Sequence, residues 1–109
     1  MVTVTFGRDS RQRLSSVFAV GHTDWSENGT DIVCAAVSAI LQAARLGLEQ
    51  VARVPLRVSQ DAGTLALSWD EGARDNPSLD VIVRTAEVSL AQISAQYPQH
   101  VAVRSELQK

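Results

Sequence analysis

The stretch LSSVFAVGHTDWSENGTDIVCAAVSAIL, residues 14–41, changes its hydrophobic period half-way along and thereby decides the fold. The first seven residues alternate as a strand does, with Val17 and Ala19 on one face and Phe18 and Val20 on the other. Turn-forming residues then predict a loop from Thr23 to Gly29. A helix follows, because apolar residues recur at helical spacing: Val33, Val37, Ile40, Leu41, Ala44 and Leu48.

The start of this helix is marked by its capping residues. Thr30 is a good N-cap, and Asp31 places a negative charge in the first turn, where the helix dipole favours it. We expect the helix to end near Gln50. Its first half, DIVCAAVSAI, is apolar almost all round, which predicts burial by the sheet on one side and by a partner subunit on another.

A strand is predicted on the N-terminal side of this stretch, where Val2, Val4 and Phe6 alternate with threonines. The turn Gly7 to Ser10 joins it to the strand of residues 14–20 as a hairpin. His22 would then leave the second strand on the side of Phe18 and Val20.

Two more strands are predicted downstream from alternating apolar residues, Val54, Leu56 and Val58 in the first, and Leu65, Leu67 and Trp69 in the second. Pro55 has no N–H to donate, which indicates that the first of them either lies at an edge of the sheet or has a local irregularity. Residues 70–75 read as a polar loop.

A second helix and a last strand complete the chain. Asn76 is a suitable N-cap and Pro77 a suitable first residue. Pro98 ends the helix, and a short strand at Val101 and Val103 precedes a polar tail. The apolar stripe of this helix comprises Leu79, Ile82, Val83, Ala86, Leu90, Ile93 and Tyr97.

The element order is therefore ββαββαβ. Two amphipathic helices need an apolar surface, and a mixed sheet of about five strands supplies one. We predict an α+β fold, a two-layer α/β sandwich with both helices on one sheet face. The 109 residues form a single domain, residues 1–109.

Composition excludes several classes of function. The formal charge of −2 argues against a nucleic-acid-binding protein, and the arginines at positions 8, 11 and 13 read as a solvated turn. No segment approaches the length of a membrane span and no signal peptide is visible, so no membrane partner is expected. The single cysteine favours a reducing, cytoplasmic setting. One cysteine and two histidines without close spacing are not a ligand set, so neither a metal nor a cofactor is expected.

Cys34 and His22 are the candidate catalytic pair. Near the start of a helix the dipole and the unpaired N–H groups favour a thiolate, which is the nucleophilic form of cysteine. An imidazole nearby can act as general base and then as general acid. By themselves these residues leave a second interpretation open, in which Cys34 is a small core residue and His22 a solvated strand end.

Five further residues surround the pair. Ser38 lies one helical turn after Cys34, so its hydroxyl can either approach the thiol or bond back to its own helix. Asp31 can orient His22 or simply serve the helix start. Gly21 and Gly29 permit sharp turns or a close approach of substrate. Trp25, in a polar loop, is a candidate contact or lid residue.

The motif Gly21-His22, followed by Asp31-Ile32-Val33-Cys34-Ala35-Ala36-Val37-Ser38, resembles the signature of the ribosomal-processing cysteine protease family. That signature is a Gly-His pair, a loop of this length, and a helix start of the form D-x-x-C-A-x-x-S. The resemblance extends over the whole chain in length and in element order.

The resemblance implies a cysteine endopeptidase that removes the N-terminal extension of a large-subunit ribosomal protein during ribosome assembly. It implies that His22 and Cys34 form a catalytic dyad, that Asp31 and Ser38 support it, and that the protein is a homodimer. The alternative is a non-catalytic dimeric module that binds a ribosomal protein or an assembly factor. Iodoacetamide separates the two, because a catalytic thiol reacts well below pH 8 and a buried structural thiol stays inert.

Overall fold

The computed structural model describes residues 1–21 and 30–108, with residues 30 and 31 described by their backbone alone. The described elements occur in the predicted order. They are β1 (Val2–Arg8), β2 (Leu14–Val20), α1 (Thr30–Leu46) with a π-helical turn (Gly47–Val51), β3 (Arg57–Asp61), β4 (Thr64–Ser68), a 3₁₀ helix (Glu71–Asp75), α2 (Pro77–Gln96) and β5 (Val101–Leu107).

The five described strands form one mixed sheet in the order β3-β4-β2-β1-β5. β1 pairs antiparallel with β2 and parallel with β5. β4 lies antiparallel between β2 and β3. β3 is an edge strand, as predicted, although Pro55 precedes it and is not part of it. The predicted α+β sandwich, with two helices and a five-stranded mixed sheet, is confirmed.

The core lies between the helices and one face of this sheet. Val4 and Phe6 of β1 face inward beside Ala19 and Val17 of β2, their partners across the ladder. Phe18 and Val20 lie on the opposite, exposed face. Trp69 is buried beyond the end of β4, and its indole Nε1 donates a hydrogen bond to the Leu14 carbonyl at 3.0 Å. Its burial therefore leaves no unpaired indole N–H.

The predicted boundaries of the first and third strands are wrong. Gly7 and Arg8 belong to β1, and the turn of the hairpin comes later, closed by a hydrogen bond from Asp9 N to Arg13 O at 3.0 Å. Val54 precedes β3 rather than lying in it. Its amide donates instead to the Leu48 carbonyl at 2.8 Å, which keeps the chain attached to the π-helical turn up to that point.

Two further predictions, one after β4 and one in the last strand, need correction. The region predicted as a polar loop contains the 3₁₀ helix Glu71–Asp75. The last strand continues past Val103 to Leu107, because β1 offers it a parallel partner along its whole length, from Val2↔Val101 to Arg8↔Leu107. Polar side chains do not stop a strand at a sheet edge, where half of them face solvent.

α2 begins as predicted. The Asn76 side chain accepts a hydrogen bond from the Ser78 amide at 2.9 Å, and Pro77 occupies the first turn. Leu79, Val83, Ala86 and Leu90 are buried. Tyr97 was predicted to extend this stripe, but the helix ends at Gln96 and the Tyr97 side chain is 46% exposed.

The apolar stretch that begins in α1 is longer than the sequence analysis expects. The stretch Ile32–Val51 spans 20 residues with a mean hydropathy of 1.5, which by length and composition is enough to cross a membrane. The expectation that no segment approaches a span is therefore wrong. Burial against the sheet accounts for the apolar stripe Val33, Val37 and Leu41, and the ion pair Arg45–Glu49 interrupts the stretch.

Candidate functional site

The candidate site lies at one end of the sheet, where β1 and β5 begin and β2 ends. The amide of Val2 donates to the His100 carbonyl at 2.8 Å, and the amide of Gly21 donates to the Gly63 carbonyl at 2.9 Å. The start of α1 and the end of α2 belong to the same end of the sheet, because α1 follows β2 and α2 precedes β5 in the chain.

Gly21 has a backbone conformation that only glycine adopts without strain. Its φ is +98°, in the region disfavoured for L side chains. A Cβ at this position would lie 2.3 Å from the carbonyl oxygen of Met1. β2 ends at Val20, and the positive φ of Gly21 stops the strand alternation there.

Cys34 is the fifth residue of α1 and is only 4% exposed. It belongs to the core cluster together with its neighbours Val33 and Val37. Ser38, one helical turn later, is half-buried. The thiol thus lies on the side of α1 that faces the core, at the sheet end that carries Gly21.

The structure does not describe the side chains of the remaining predicted site residues. His22, Trp25 and Gly29 lie outside the described residues, and Asp31 is described by its backbone alone, within α1. Their proposed roles stay predictions. Within residues 1–21 and 30–108, no group of three His, Cys, Asp or Glu side chains has an arrangement that could hold a metal ion.

A second polar cluster occupies the opposite end of the sheet and centres on Asp9. Its carboxylate accepts hydrogen bonds from the amides of Arg11 and Arg13 at 2.9 and 3.0 Å, and from the guanidinium groups of Arg13 and Arg74 at 3.0 Å. Burial on its own would raise the pKa of Asp9, but these hydrogen bonds and the charge of Arg13 lower it to about 2.

This cluster corrects the prediction of a solvated arginine turn for Arg8 and Arg13, whereas Arg11 is exposed as predicted. The Arg8 side chain pairs with Glu87 of α2 at 2.8 Å and is 18% exposed. The Arg13 side chain also contacts Glu71 and Asp75 beyond β4. The arginines therefore tie the hairpin to the helix layer. Sequence reasoning missed this because their acidic partners lie about 60 to 80 positions away.

Comparisons with known proteins find similar proteins over nearly the whole chain. The family model described as cysteine protease Prp matches residues 1–102. The SMU.848 protein of Streptococcus mutans has a similar structure, with a TM-score of 0.86 and 26% identity over 99% of this chain and 96% of that one. A comparison with curated proteins returned no match.

Two structures of the ribosomal processing protease Prp from Staphylococcus aureus are also similar. One is a complex with a substrate peptide, at a TM-score of 0.86 and 24% identity. The other carries a covalently linked product peptide, at a TM-score of 0.85 and 25% identity. In both comparisons 96% of this chain and 99% of the other are covered.

Proposed function

Since the chain belongs to the cysteine protease Prp family, we propose that it removes the N-terminal extension of a large-subunit ribosomal protein during ribosome assembly. The observation that carries the proposal is the family match over residues 1–102, which contains the complete Gly-His and Cys motif. The S. aureus relative is a ribosomal processing protease that has been solved with substrate and product peptides, which supports a peptide substrate here.

Cys34 is the proposed nucleophile. Its thiolate attacks the scissile carbonyl carbon, and the electron pair of the C=O bond moves to oxygen. When this oxyanion collapses, the C–N bond breaks, the amine leaves with a proton from His22, and an acyl-enzyme remains. Water, deprotonated by His22, then attacks the thioester and releases Cys34.

The start of α1 offers the oxyanion its hydrogen-bond donors. Because α1 begins at Thr30, Cys34 is the first residue whose N–H can reach a carbonyl four residues back within the helix. Most N–H groups of a first helical turn have no carbonyl four residues back within the helix. We therefore assign the oxyanion to N–H groups at the start of α1, and the amide of Cys34 itself is one of the candidate donors.

Gly21 has a supporting role in this proposal. His22 follows it directly in the sequence, so the positive φ of Gly21 ends the strand alternation immediately before the proposed general base. Without that turn, strand alternation would continue and would place residue 22 on the exposed sheet face of Phe18 and Val20. Cys34 belongs to the core on the other side of the sheet.

The second candidate is the non-catalytic dimeric module, and one observation favours it. Cys34 is 4% exposed, as a structural thiol is. The iodoacetamide test decides between the two. Alkylation of Cys34 well below pH 8, measured by intact mass, supports the protease, and an inert thiol supports the module.

The proposed homodimer has a suitable surface on the outer side of the helix layer. There a groove of about 390 Å³ is lined by Ile40, Ala43, Ala44, Gly47, Val81, Ile82, Thr85, Ala86 and Ser89. Small residues on both helices allow the helices of a second copy to approach closely. Light scattering should give a dimer mass at micromolar concentration, and Val81→Glu, at a 64% exposed position in the groove, should give the monomer mass.

The proposal also places the protein in the cytoplasm. Ribosomes are assembled in that compartment, and its reducing conditions keep a single catalytic thiol in its active form. No direct contact with nucleic acid is part of the proposal. The charge of −2 would repel a phosphate backbone rather than bind it.

The decisive experiment uses the full-length ribosomal protein of the same organism with its native N-terminus. After incubation with this protein, intact mass spectrometry should show loss of one defined N-terminal peptide. The Cys34→Ala variant should leave the mass unchanged. An unchanged mass with the wild-type protein, for a ribosomal protein that carries an extension, would reject the proposal.

A further inference from the structure

The aromatic side chain of Tyr97 is turned outward although its sequence position predicts burial. It follows Leu90 and Ile93 at the spacing of the α2 core stripe. The backbone of Tyr97 leaves the helix, with φ −130° and ψ 61°, while its amide still donates to the Ile93 carbonyl at 2.8 Å. Tyr97 is consequently 46% exposed. Core packing therefore does not explain this aromatic residue.

Backbone hydrogen bonds fix the turn that carries Tyr97. The amides of His100 and Val101 both donate to the Tyr97 carbonyl, at 2.9 and 3.1 Å. The His100 carbonyl in turn accepts from Val2 at the start of β1. The turn is thus a rigid part of the sheet end that also carries Gly21, and a rigid surface is the kind that gives a peptide a defined subsite.

The distance from this turn to the end of β2 that carries Gly21 fits a peptide substrate. β5 and β2 flank β1, so their ends are two strand spacings apart, about 10 Å. An extended peptide advances about 3.4 Å per residue. A substrate whose scissile bond lies beside Cys34, at the end of β2 that carries Gly21, therefore reaches the turn with a side chain about three residues away.

The surface chemistry of the turn selects the kind of side chain. A cavity of about 260 Å³ is lined by Gln96, Tyr97, Pro98, Gln99 and His100. These five residues include no Asp, Glu, Lys or Arg, so the lining provides no carboxylate or strong cation to pair with a charged side chain. The faces of Tyr97 and Pro98 offer apolar contact, and the two glutamine amides can bond to a peptide backbone.

We propose that the turn of residues 96–100 is a subsite that holds an uncharged, apolar or aromatic side chain of the substrate, about three residues from the scissile bond. Tyr97 supplies the main contact by packing its ring against that side chain. This inference rests on the proposed function, because it takes the bond beside Cys34 as the one that is cleaved.

Binding to an inactive enzyme tests the subsite without depending on catalysis. The probe is a fluorescein-labelled peptide that covers the N-terminal extension and the first ten residues of the mature ribosomal protein, titrated with Cys34→Ala. Adding Tyr97→Ala should weaken binding about three- to tenfold, the value of one aromatic contact. Adding Tyr97→Phe should keep the affinity within twofold, because the ring remains.

The matched control is Leu107→Ala, which removes an apolar side chain that is 61% exposed at the other end of β5. It should leave the affinity unchanged. If Tyr97→Ala binds the peptide as tightly as Leu107→Ala does, the subsite proposal is wrong. Circular dichroism on both variants should give wild-type spectra, since both side chains are exposed.

A peptide series locates the side chain that Tyr97 contacts. Each apolar residue within five positions of the cleavage site is replaced by Ala in turn. At one position, about three residues from the bond, Tyr97→Ala should cause no further loss, because the two partners are coupled. Equal losses for every peptide would overturn the assignment.

Cleavage by enzymes with Cys34 intact separates this proposal from the proposed function. If Tyr97→Ala raises KM and leaves kcat unchanged, both stand. If Tyr97→Ala cleaves the substrate with the same KM and kcat as the wild type, only the subsite proposal is rejected. Tyr97-dependent binding of a peptide that the wild-type protein never cleaves rejects the protease and keeps the turn as a peptide-binding surface.

Discussion

Replacing Gly21 by Ala tests the central structural argument for the site. The substitution adds one methyl group at a backbone position with φ +98°. The new Cβ would lie 2.3 Å from the Met1 carbonyl oxygen, which is backbone and cannot rotate away. Either β1 shifts at its first residue or Gly21 changes its φ, and the second response redirects residue 22.

The size of the effect follows from three terms. A non-glycine residue in this region of φ costs about 1–3 kcal/mol. Forcing an extra carbon into a packed position costs about 1–3 kcal/mol. Ala also lowers the conformational entropy of the unfolded chain, which offsets about 0.4–1 kcal/mol of this destabilisation. We expect Gly21→Ala to lower the free energy of unfolding by about 1–6 kcal/mol, which for a domain of this size is about 4–24 °C in Tm.

Thermal and urea unfolding followed by circular dichroism measure this difference. Gly72→Ala is the matched control, because a Cβ at Gly72 meets nothing within 4 Å and its φ is not in the disfavoured region. Its Tm should stay within about 2 °C of the wild type. If Gly21→Ala unfolds at the same urea concentration as Gly72→Ala, the argument that Gly21 is held by its conformation is refuted.

Three more predictions concern single side chains. Cys34→Ala should abolish cleavage of the ribosomal protein while leaving the unfolding midpoint within about 5 °C, since Ala suits a helix interior; retained cleavage would exclude Cys34 as nucleophile. The pKa of Asp9 is lowered from 3.8 to about 2 in the folded protein, so the folded state binds fewer protons than the unfolded state. The stabilising effect of Asp9 is therefore complete above about pH 4 and is lost as the pH falls toward 2. Urea titrations should show that Asp9→Asn removes part of this acid dependence, and an unchanged slope would contradict the assignment. Trp69→Phe leaves the Leu14 carbonyl without its donor and should lower the free energy of unfolding by about 1–3 kcal/mol, measured in urea; a change below about 0.5 kcal/mol would show that the bond contributes little.

The sequence predicts this fold wherever local chemistry decides the structure. The alternation in β1 and β2, the Asn76–Pro77 start of α2 and the element order all follow from neighbouring residues. Those features need only the periods of strands and helices and the chemistry of caps. The roles of Cys34 and Gly21 are implied by the resemblance to the family motif and stay predictions.

The errors occur where distant partners decide. The strand of residues 101–107 continues because β1 pairs with all of it, which its own polar residues do not reveal. Arg8 is drawn to Glu87, a partner 79 positions away. Tyr97 has the right spacing for the core, but the backbone turn before Pro98 swings it outward. In the first two cases a tertiary contact overrides a local pattern, and in the third the backbone at the end of the helix does so.

The pairing of the first strand with the last has a consequence for how the chain folds. The β1–β2 hairpin is local and can form early, but the other edge of β1 finds its partner only when residues 101–107 are available. Until then that edge exposes unpaired amides and carbonyls to other chains, which makes incomplete chains prone to aggregate. The bond from Val2 to His100 also forms only at this last step. A nascent chain would therefore hold all the residues of the motif before it has an assembled site, and peptidase activity should appear only with the final strand in place.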